Sequence, residues 1–175
     1  MVESPNNIPA WLRLRSELAP TERPHHVANR VLKALGVTTK APVDVHAVAR
    51  RLDVEIKEVP EPGWSGAVAS TDRSAVIWVR ASDASVRKRF TVAHELGHLF
   101  LHPLGREFRD VTFKGGQRES DANQFAADLL IPLWMLDGYV ASSAANVAAL
   151  AKTFRVSAHA MKIQLSKLSG DRVTW

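Results

Sequence analysis

The sequence predicts an α+β fold in which a small three-stranded antiparallel sheet packs against one long helix and several flanking helices. Residues 54–59 alternate apolar and polar side chains, which is the period of a half-buried strand, and residues 65–70 and 75–80 are two further short strand candidates separated by residues 71–73. Residues 83–101 instead repeat apolar side chains at helical spacing. The chain after residue 117 is predicted to form further, shorter helices, one of which ends at Pro132.

Each element follows from a local pattern. Pro24 suits a first helical turn, Gly36 and Pro103 suit helix ends, and Ser157 suits a helix cap. The predicted helices cover residues 24–35, 42–52, 83–101, 118–130, 132–139, 144–154 and 157–168. The predicted strands cover residues 54–59, 65–70 and 75–80.

The chain is expected to have three parts. Residues 1–22 are predicted to be an N-terminal arm, in which Trp11, Leu12, Leu14 and Leu18 suggest a short amphipathic helix. Residues 23–135 form the predicted central domain, and residues 136–175 a basic helical segment. From Tyr139 onward, five basic residues stand against one acid, a net charge of +4 within a total of +5.

Composition narrows the classes of function. The 175 residues include no cysteine, which excludes a disulfide framework and a thiolate metal site, so that any metal must be held by His, Asp or Glu. The absence of cysteine fits a reducing cytosol, and we expect a cytoplasmic protein. The N-terminus lacks the pattern of a secretory signal, and no stretch reaches the roughly 18 apolar residues of a membrane span.

The predicted long helix contains the sequence His-Glu-Leu-Gly-His at residues 94–98. Residues four apart share one helix face, so His94 and His98 can present two imidazoles to one metal ion. Glu95 lies about 100° around the helix, a position suited to a general base rather than a ligand. This is the H-E-x-x-H pattern of zinc peptidases. The intervening Gly97 allows close approach of a neighbouring backbone or of substrate.

The third ligand has several candidates. His102 extends the four-residue spacing, but it lies about 12 Å along the helix from His94, too far to share one ion. It is predicted to face the helix C-terminal dipole, with contact to a ligand or substrate as the other interpretation. Glu119 and Asp128 on the next helix remain as candidates, and Asn123 could hydrogen-bond a ligating histidine. Glu119 could also simply stabilise a helix N-terminus.

Two ordered motifs resemble those of the ImmA/IrrE metallopeptidases. The first is RFTVAHELGHLFLH at residues 89–102, and the second is ESDANQFAADLLIP at residues 119–132. The resemblance implies a zincin-like, gluzincin-type domain with zinc held by His94, His98 and Glu119, and with Glu95 as base. A His₂Glu donor set also accepts Mn²⁺ or Fe²⁺. The resemblance further implies a substrate, a helix-turn-helix repressor whose cleavage relieves repression.

Other residues are assigned less specifically. A donor to the oxyanion is expected, with Tyr139, His102 and His159 as candidates. Residues 74–80 are predicted to be an edge strand that binds the substrate backbone.

Two other functions remain open. Residues 150–168 have the pattern of a helix-turn-helix with a basic second helix, which could bind DNA. The same helices could instead pack on the catalytic domain and contact the repressor. Alternatively, the chain could be a non-cleaving antirepressor or a component of a toxin–antitoxin pair.

Overall fold

The α+β class is confirmed in the computed structural model, which describes residues 8–37, 40–60, 63–102, 108–109, 116–142 and 146–170. The helices in these ranges are α1 Ala10–Ser16, α2 Pro24–Ala34, α3 Val45–Arg51, α4 Ser85–Leu101, α5 Gln117–Leu130, α6 Leu133–Ser142, α7 Val147–Phe154 and α8 Ala158–Leu168. The strands are β1 Val54–Val59, β2 Gly66–Ser70, β3 Ala75–Arg80 and β4 Phe108–Arg109.

The sheet differs from the prediction in its strand number and pairing. Its order is β1-β3-β2-β4, so the described sheet has four strands rather than three. β2 pairs antiparallel with β3 and β4, but β1 pairs parallel with β3. The prediction of a wholly antiparallel sheet is therefore wrong. The local sequence indicates where each of the three predicted strands lies, whereas the strand order is set by long-range packing, which places the buried Ala75, Ile77 and Val79 of β3 at the centre.

The central position of β3 also corrects the prediction of an edge strand at residues 74–80. Its backbone is hydrogen-bonded to β1 on one side and to β2 on the other. Strand addition requires an open row of backbone groups, which β3 does not offer.

Local capping explains several helix boundaries. The side chains of Asp44, Asn146 and Ser157 accept hydrogen bonds from backbone N–H groups in the first turns of α3, α7 and α8. The predicted cap at Ser157 is confirmed. Gly36, with φ of 63°, follows α2 and adopts the left-handed conformation common after helix ends.

The core lies between the sheet and the helices α2, α4 and α5. Every residue from Thr91 to Phe100 is buried, because α4 contacts β2 and β3 on one side and α5 on the other. The predicted short helix of the N-terminal arm is confirmed as α1, and Trp11 is fully buried in this core. In the described ranges, no helix has both the length and the apolar character that crossing a bilayer requires.

Candidate metal centre

Two buried histidines on α4 face each other across one helical turn. The Nε2 atoms of His94 and His98 lie 2.9 Å apart, and both side chains are almost completely shielded from solvent. The four-residue spacing therefore brings the two imidazoles together as the sequence predicted.

Glu119, in the first turn of α5, completes the cluster. Its Oε2 lies 3.2 Å from Nε2 of His94, and its Oε1 lies 3.2 Å from Nε2 of His98. Each residue of this trio offers one ligand atom within 4.8 Å of the others. Among the described residues, the trio that could hold a metal ion thus contains Glu119 and does not contain Glu95.

The rival third ligand, Asp128, has a different set of partners. It is buried more than two turns further along α5, where it accepts hydrogen bonds from Gln164 Nε2 at 2.8 Å and Lys167 Nζ at 3.2 Å. Both partners belong to α8. Asp128 therefore ties the C-terminal helices to α5 and lies outside the His–Glu cluster.

Gly97 explains how Glu119 can reach the two histidines. A Cβ atom at Gly97 would lie 3.0 Å from Cα of Ala122 and 3.1 Å from its carbonyl oxygen. Any larger residue would push α5 away from α4. The close backbone approach predicted at this glycine is present, and it brings the first turn of α5 beside the histidines.

The donor set and its spacing fit a zinc ion. Tetrahedral zinc with ligands at about 2.0–2.1 Å holds its ligand atoms about 3.3 Å apart. In the cluster the two Nε2 atoms lie 2.9 Å apart, and each lies 3.2 Å from a different oxygen of the Glu119 carboxylate. One ligand atom from each residue lies within 4.8 Å of the others, which is close enough for all three residues to bind one ion. Two imidazoles and one carboxylate are also a ligand set of catalytic zinc sites, which leave a fourth position for water or substrate.

Asn123 contacts the first histidine. Its Oδ1 lies 2.9 Å from Nδ1 of His94. Because an amide oxygen can only accept, Nδ1 of His94 carries the proton and Nε2 keeps its lone pair toward the cluster. A hydrogen bond at the second ring nitrogen commonly fixes a metal-binding histidine in this way.

His102 contacts the second histidine. Its Nδ1 lies 2.8 Å from Nδ1 of His98, and its ring is buried at the C-terminal end of α4. Burial, followed by the positive charge of Arg118, lowers the pKa of His102 to about 4. His102 is therefore neutral near pH 7, and its Nδ1 can accept from His98, whose Nε2 then faces the cluster unprotonated.

Glu95 lies against β2, at a point where that strand has a glycine. A Cβ atom at Gly66 would lie 2.7 Å from Oε1 of Glu95 and would overlap the methyl group of Thr91. The absence of a side chain at Gly66 thus gives the buried carboxylate its place between α4 and the sheet. The sequence reasoning missed this residue, although a glycine within a strand pattern often indicates a close approach.

A second missed residue is Arg15. Its guanidinium donates hydrogen bonds to the carbonyl oxygens of Leu99 and His102, at the end of α4. The available signal was its position four residues after Trp11, which places it on the buried face of an amphipathic helix.

The other candidate oxyanion donors lie on the C-terminal helices. Tyr139 accepts a hydrogen bond from the backbone N–H of Ala41 at 3.3 Å, and its ring stacks edge-on against Phe154. His159 is exposed on α8. The role of each in catalysis stays a prediction.

The C-terminal pair α7 and α8 presents charge to solvent. Lys152, Arg155 and Lys162 are exposed, and Arg155 forms the turn with a left-handed backbone, φ of 53°. Lys167 instead pairs with the buried Asp128. A turn at residues 155–157 joins α7 to α8, so the predicted order of helix, turn and helix is present.

Comparison with known proteins places this geometry in context. The chain is 33% identical over 70 residues to the "Uncharacterized immunity region protein 2" of Bacillus phage phi105, and the match covers 38% of this chain and 44% of the phage protein. It thus spans less than half the length of that relative. Residues 49–166, well over half of the chain, match the IrrE N-terminal-like domain. The resemblance indicated by the two motifs is confirmed, and the chain belongs to this family of M78 peptidases.

Proposed function

We propose that this protein is a zinc-dependent endopeptidase of the cytoplasm that cleaves a helix-turn-helix transcriptional repressor and thereby relieves repression. The observation that carries the proposal is the cluster of two buried histidines of α4, His94 and His98, with the partly buried Glu119 of α5, and with Glu95 next to His94 in α4. Membership of a peptidase family supports hydrolysis of a peptide bond. The similar phage protein is named for an immunity region, which supports a repressor as the partner.

The proposed chemistry divides the residues by role. His94, His98 and Glu119 would hold the ion, and Asn123 and His102 would fix the two imidazoles. When bound, zinc polarises the scissile carbonyl and lowers the pKa of a coordinated water to about 7. A site that accepts Mn²⁺ or Fe²⁺ would have the same ligands.

Glu95 would move the proton. Its carboxylate removes a proton from the attacking water as the water oxygen forms a bond to the carbonyl carbon. The same proton then passes to the amide nitrogen as the carbon–nitrogen bond breaks, which yields a carboxylic acid and an amine. Burial of Glu95 beside Gly66 keeps the carboxylate in one position throughout this transfer.

The proposal predicts that Glu95→Gln abolishes cleavage. An amide cannot accept the proton, so the rate should fall by about 10²- to 10⁴-fold while zinc binding persists. The measurement is cleavage of helix-turn-helix repressors from the same genome, each co-expressed with wild type or variant and followed by mass spectrometry of the products. Glu55→Gln is the matched control, since Glu55 is exposed on β1. Cleavage by Glu95→Gln at the wild-type rate would overturn the mechanism.

Two alternative functions are suggested by the exposed cations of α7 and α8. A non-cleaving antirepressor would bind the repressor through these helices and leave it intact in the presence of zinc. A DNA-binding regulator would instead bind nonspecific duplex with strong salt dependence. The co-expression assay separates the peptidase from the antirepressor, because stable association without cleavage favours the antirepressor. A gel-shift assay at several salt concentrations tests the third function, because a salt-sensitive shift of duplex DNA favours the regulator.

A further inference from the structure

We propose that Arg15 is a positioning residue for the metal centre, which acts from α1 by fixing the end of α4 and, through His102, the orientation of His98. The inference rests on the proposed function only in taking His98 as a metal ligand. It assigns a role to the N-terminal helix, which lies outside the residues 49–166 that match the family.

Arg15 donates hydrogen bonds to backbone carbonyl groups at the C-terminal end of α4. The last carbonyl groups of a helix have no partner within it, and α4 ends at Leu101. The Nη1 group of Arg15 donates to the carbonyl of Leu99, and its Nη2 group donates to the carbonyl of His102 at 2.5 Å. A planar guanidinium can bridge two such acceptors, and its positive charge complements the negative end of the helix dipole.

The helix that carries Arg15 is itself held in place. Trp11 is fully buried, and its backbone N–H donates to the carbonyl of Leu52 at 3.0 Å. The N–H of Ala10 donates to Asp53 Oδ2 at 2.9 Å. One end of α1 is therefore attached to the turn after α3, and the other is attached through Arg15 to α4. This arrangement lets a helix distant in sequence hold the end of α4 at a fixed position.

His102 connects this contact to the metal centre. Its backbone is extended, with φ of −116° and ψ of 158°, and its N–H donates to the carbonyl of His98 at 3.1 Å. Its ring reaches back to Nδ1 of His98 at 2.8 Å. When Arg15 holds the carbonyl of His102, the backbone of this residue is restrained, and the Cα from which the ring reaches His98 stays in place. Without that contact the end of α4 can fray, and His98 loses a fixed partner.

A purely structural role for Arg15 predicts a different result. It would lower the stability of the fold and leave the zinc affinity of the folded protein unchanged. Zinc affinity of the full-length apoprotein, measured by competition with a chromophoric chelator, therefore separates the two roles. The absorption spectrum of the Co²⁺-substituted protein gives a second readout, because it reports the ligand geometry directly.

The test compares Arg15→Ala with Arg13→Ala, which removes an exposed cation from the same helix. We expect Arg15→Ala to weaken zinc binding by about tenfold, the lower end for loss of a group that supports a metal ligand. The Co²⁺ spectrum of this variant should shift. Arg13→Ala should match wild type in both. Equal affinities for the two variants, with zinc binding otherwise intact, would overturn the inference and leave the proposed peptidase function standing.

A double-mutant cycle that combines Arg15→Ala with His102→Ala tests whether Arg15 acts on the metal centre through His102. If Arg15 acts through His102, the double variant should bind zinc no more weakly than His102→Ala alone. Additive losses would contradict this route. Should Arg15→Ala fail to fold by circular dichroism, Arg15→Lys takes its place. A lysine has the charge but not the fork that bridges two carbonyls, so weakened zinc binding supports the inference and wild-type affinity refutes it.

Discussion

The α4–α5 pair and the α7–α8 pair place their ionisable side chains in opposite ways. In α4 and α5, His94, His98 and Glu119 converge on one point and are largely shielded from solvent. In α7 and α8, Lys152 and Lys162 are exposed. Burying such groups is costly unless they are paired or bind a metal, so their convergence indicates a site. The solvated cations carry no such implication and suit a surface that contacts a partner.

Among the substitutions that probe these two helix pairs, Gly66→Ala is expected to have the largest effect, which is a loss of kcat. The added methyl group would meet Glu95 and Thr91, both buried, and would displace the proposed base. Because a misplacement of about 1 Å can cost about 10²-fold in rate, kcat should fall by about that factor while zinc affinity is unchanged. Steady-state kinetics on a repressor-derived peptide and zinc titration measure the two quantities.

Gly138→Ala is the control for this substitution, because its added methyl would enter open space on α6. It should behave as wild type. A Gly66→Ala variant with wild-type kcat would show that the close contact of β2 with Glu95 has no catalytic consequence.

Asn123→Ala should have the next largest effect. It should weaken zinc binding and leave proton transfer unchanged. Loss of the hydrogen bond to Nδ1 of His94 frees the ring to adopt the wrong tautomer, so zinc affinity should fall by about ten- to a hundredfold. Competition titration of the apoprotein checks this. Gln124→Ala, its neighbour on α5, serves as the control, and equal affinities for the two variants would contradict the assigned role.

The smallest effect is expected from the double substitution Lys152→Ala, Lys162→Ala. Since both side chains are exposed, zinc affinity and kcat should stay within about twofold of wild type, whereas association with the repressor should weaken by about two- to fivefold and lose salt dependence. Surface plasmon resonance at two salt concentrations measures the affinity for the repressor and its salt dependence. A large loss of zinc affinity would mean that the two helical regions are not separate in function.

The sequence predicts most strongly what depends on neighbours in the chain. The contact between His94 and His98 depends on the geometry of one helix, and the capping by Ser157 depends on one turn. Both are therefore predictable from the local sequence. Glu119 was favoured on the motif resemblance together with its place in the next helix. Its contact with the histidines depends on the close approach at Gly97, which the sequence only suggested.

Contacts distant in sequence could not be predicted. Arg15 reaches carbonyls 84 and 87 residues further along the chain, and no local pattern names its partners. The parallel pairing of β1 with β3 likewise depends on which strand packs best at the centre of the sheet. The position of His102 predicts two alternatives, contact with the helix dipole and contact with a ligand or substrate. Its ring contacts His98, a candidate ligand, at the residue where the chain leaves α4.

The central claim is that α4 and α5 together bind one metal ion. The most direct measurement is the zinc stoichiometry of three proteins, the wild type and the variants Glu119→Ala and Asp128→Asn. Each is equilibrated at the same free zinc concentration, and its zinc content is determined by elemental analysis. The account predicts about one equivalent for the wild type and for Asp128→Asn, and almost none for Glu119→Ala. Wild-type stoichiometry in Glu119→Ala, or loss of zinc in folded Asp128→Asn alone, would contradict it.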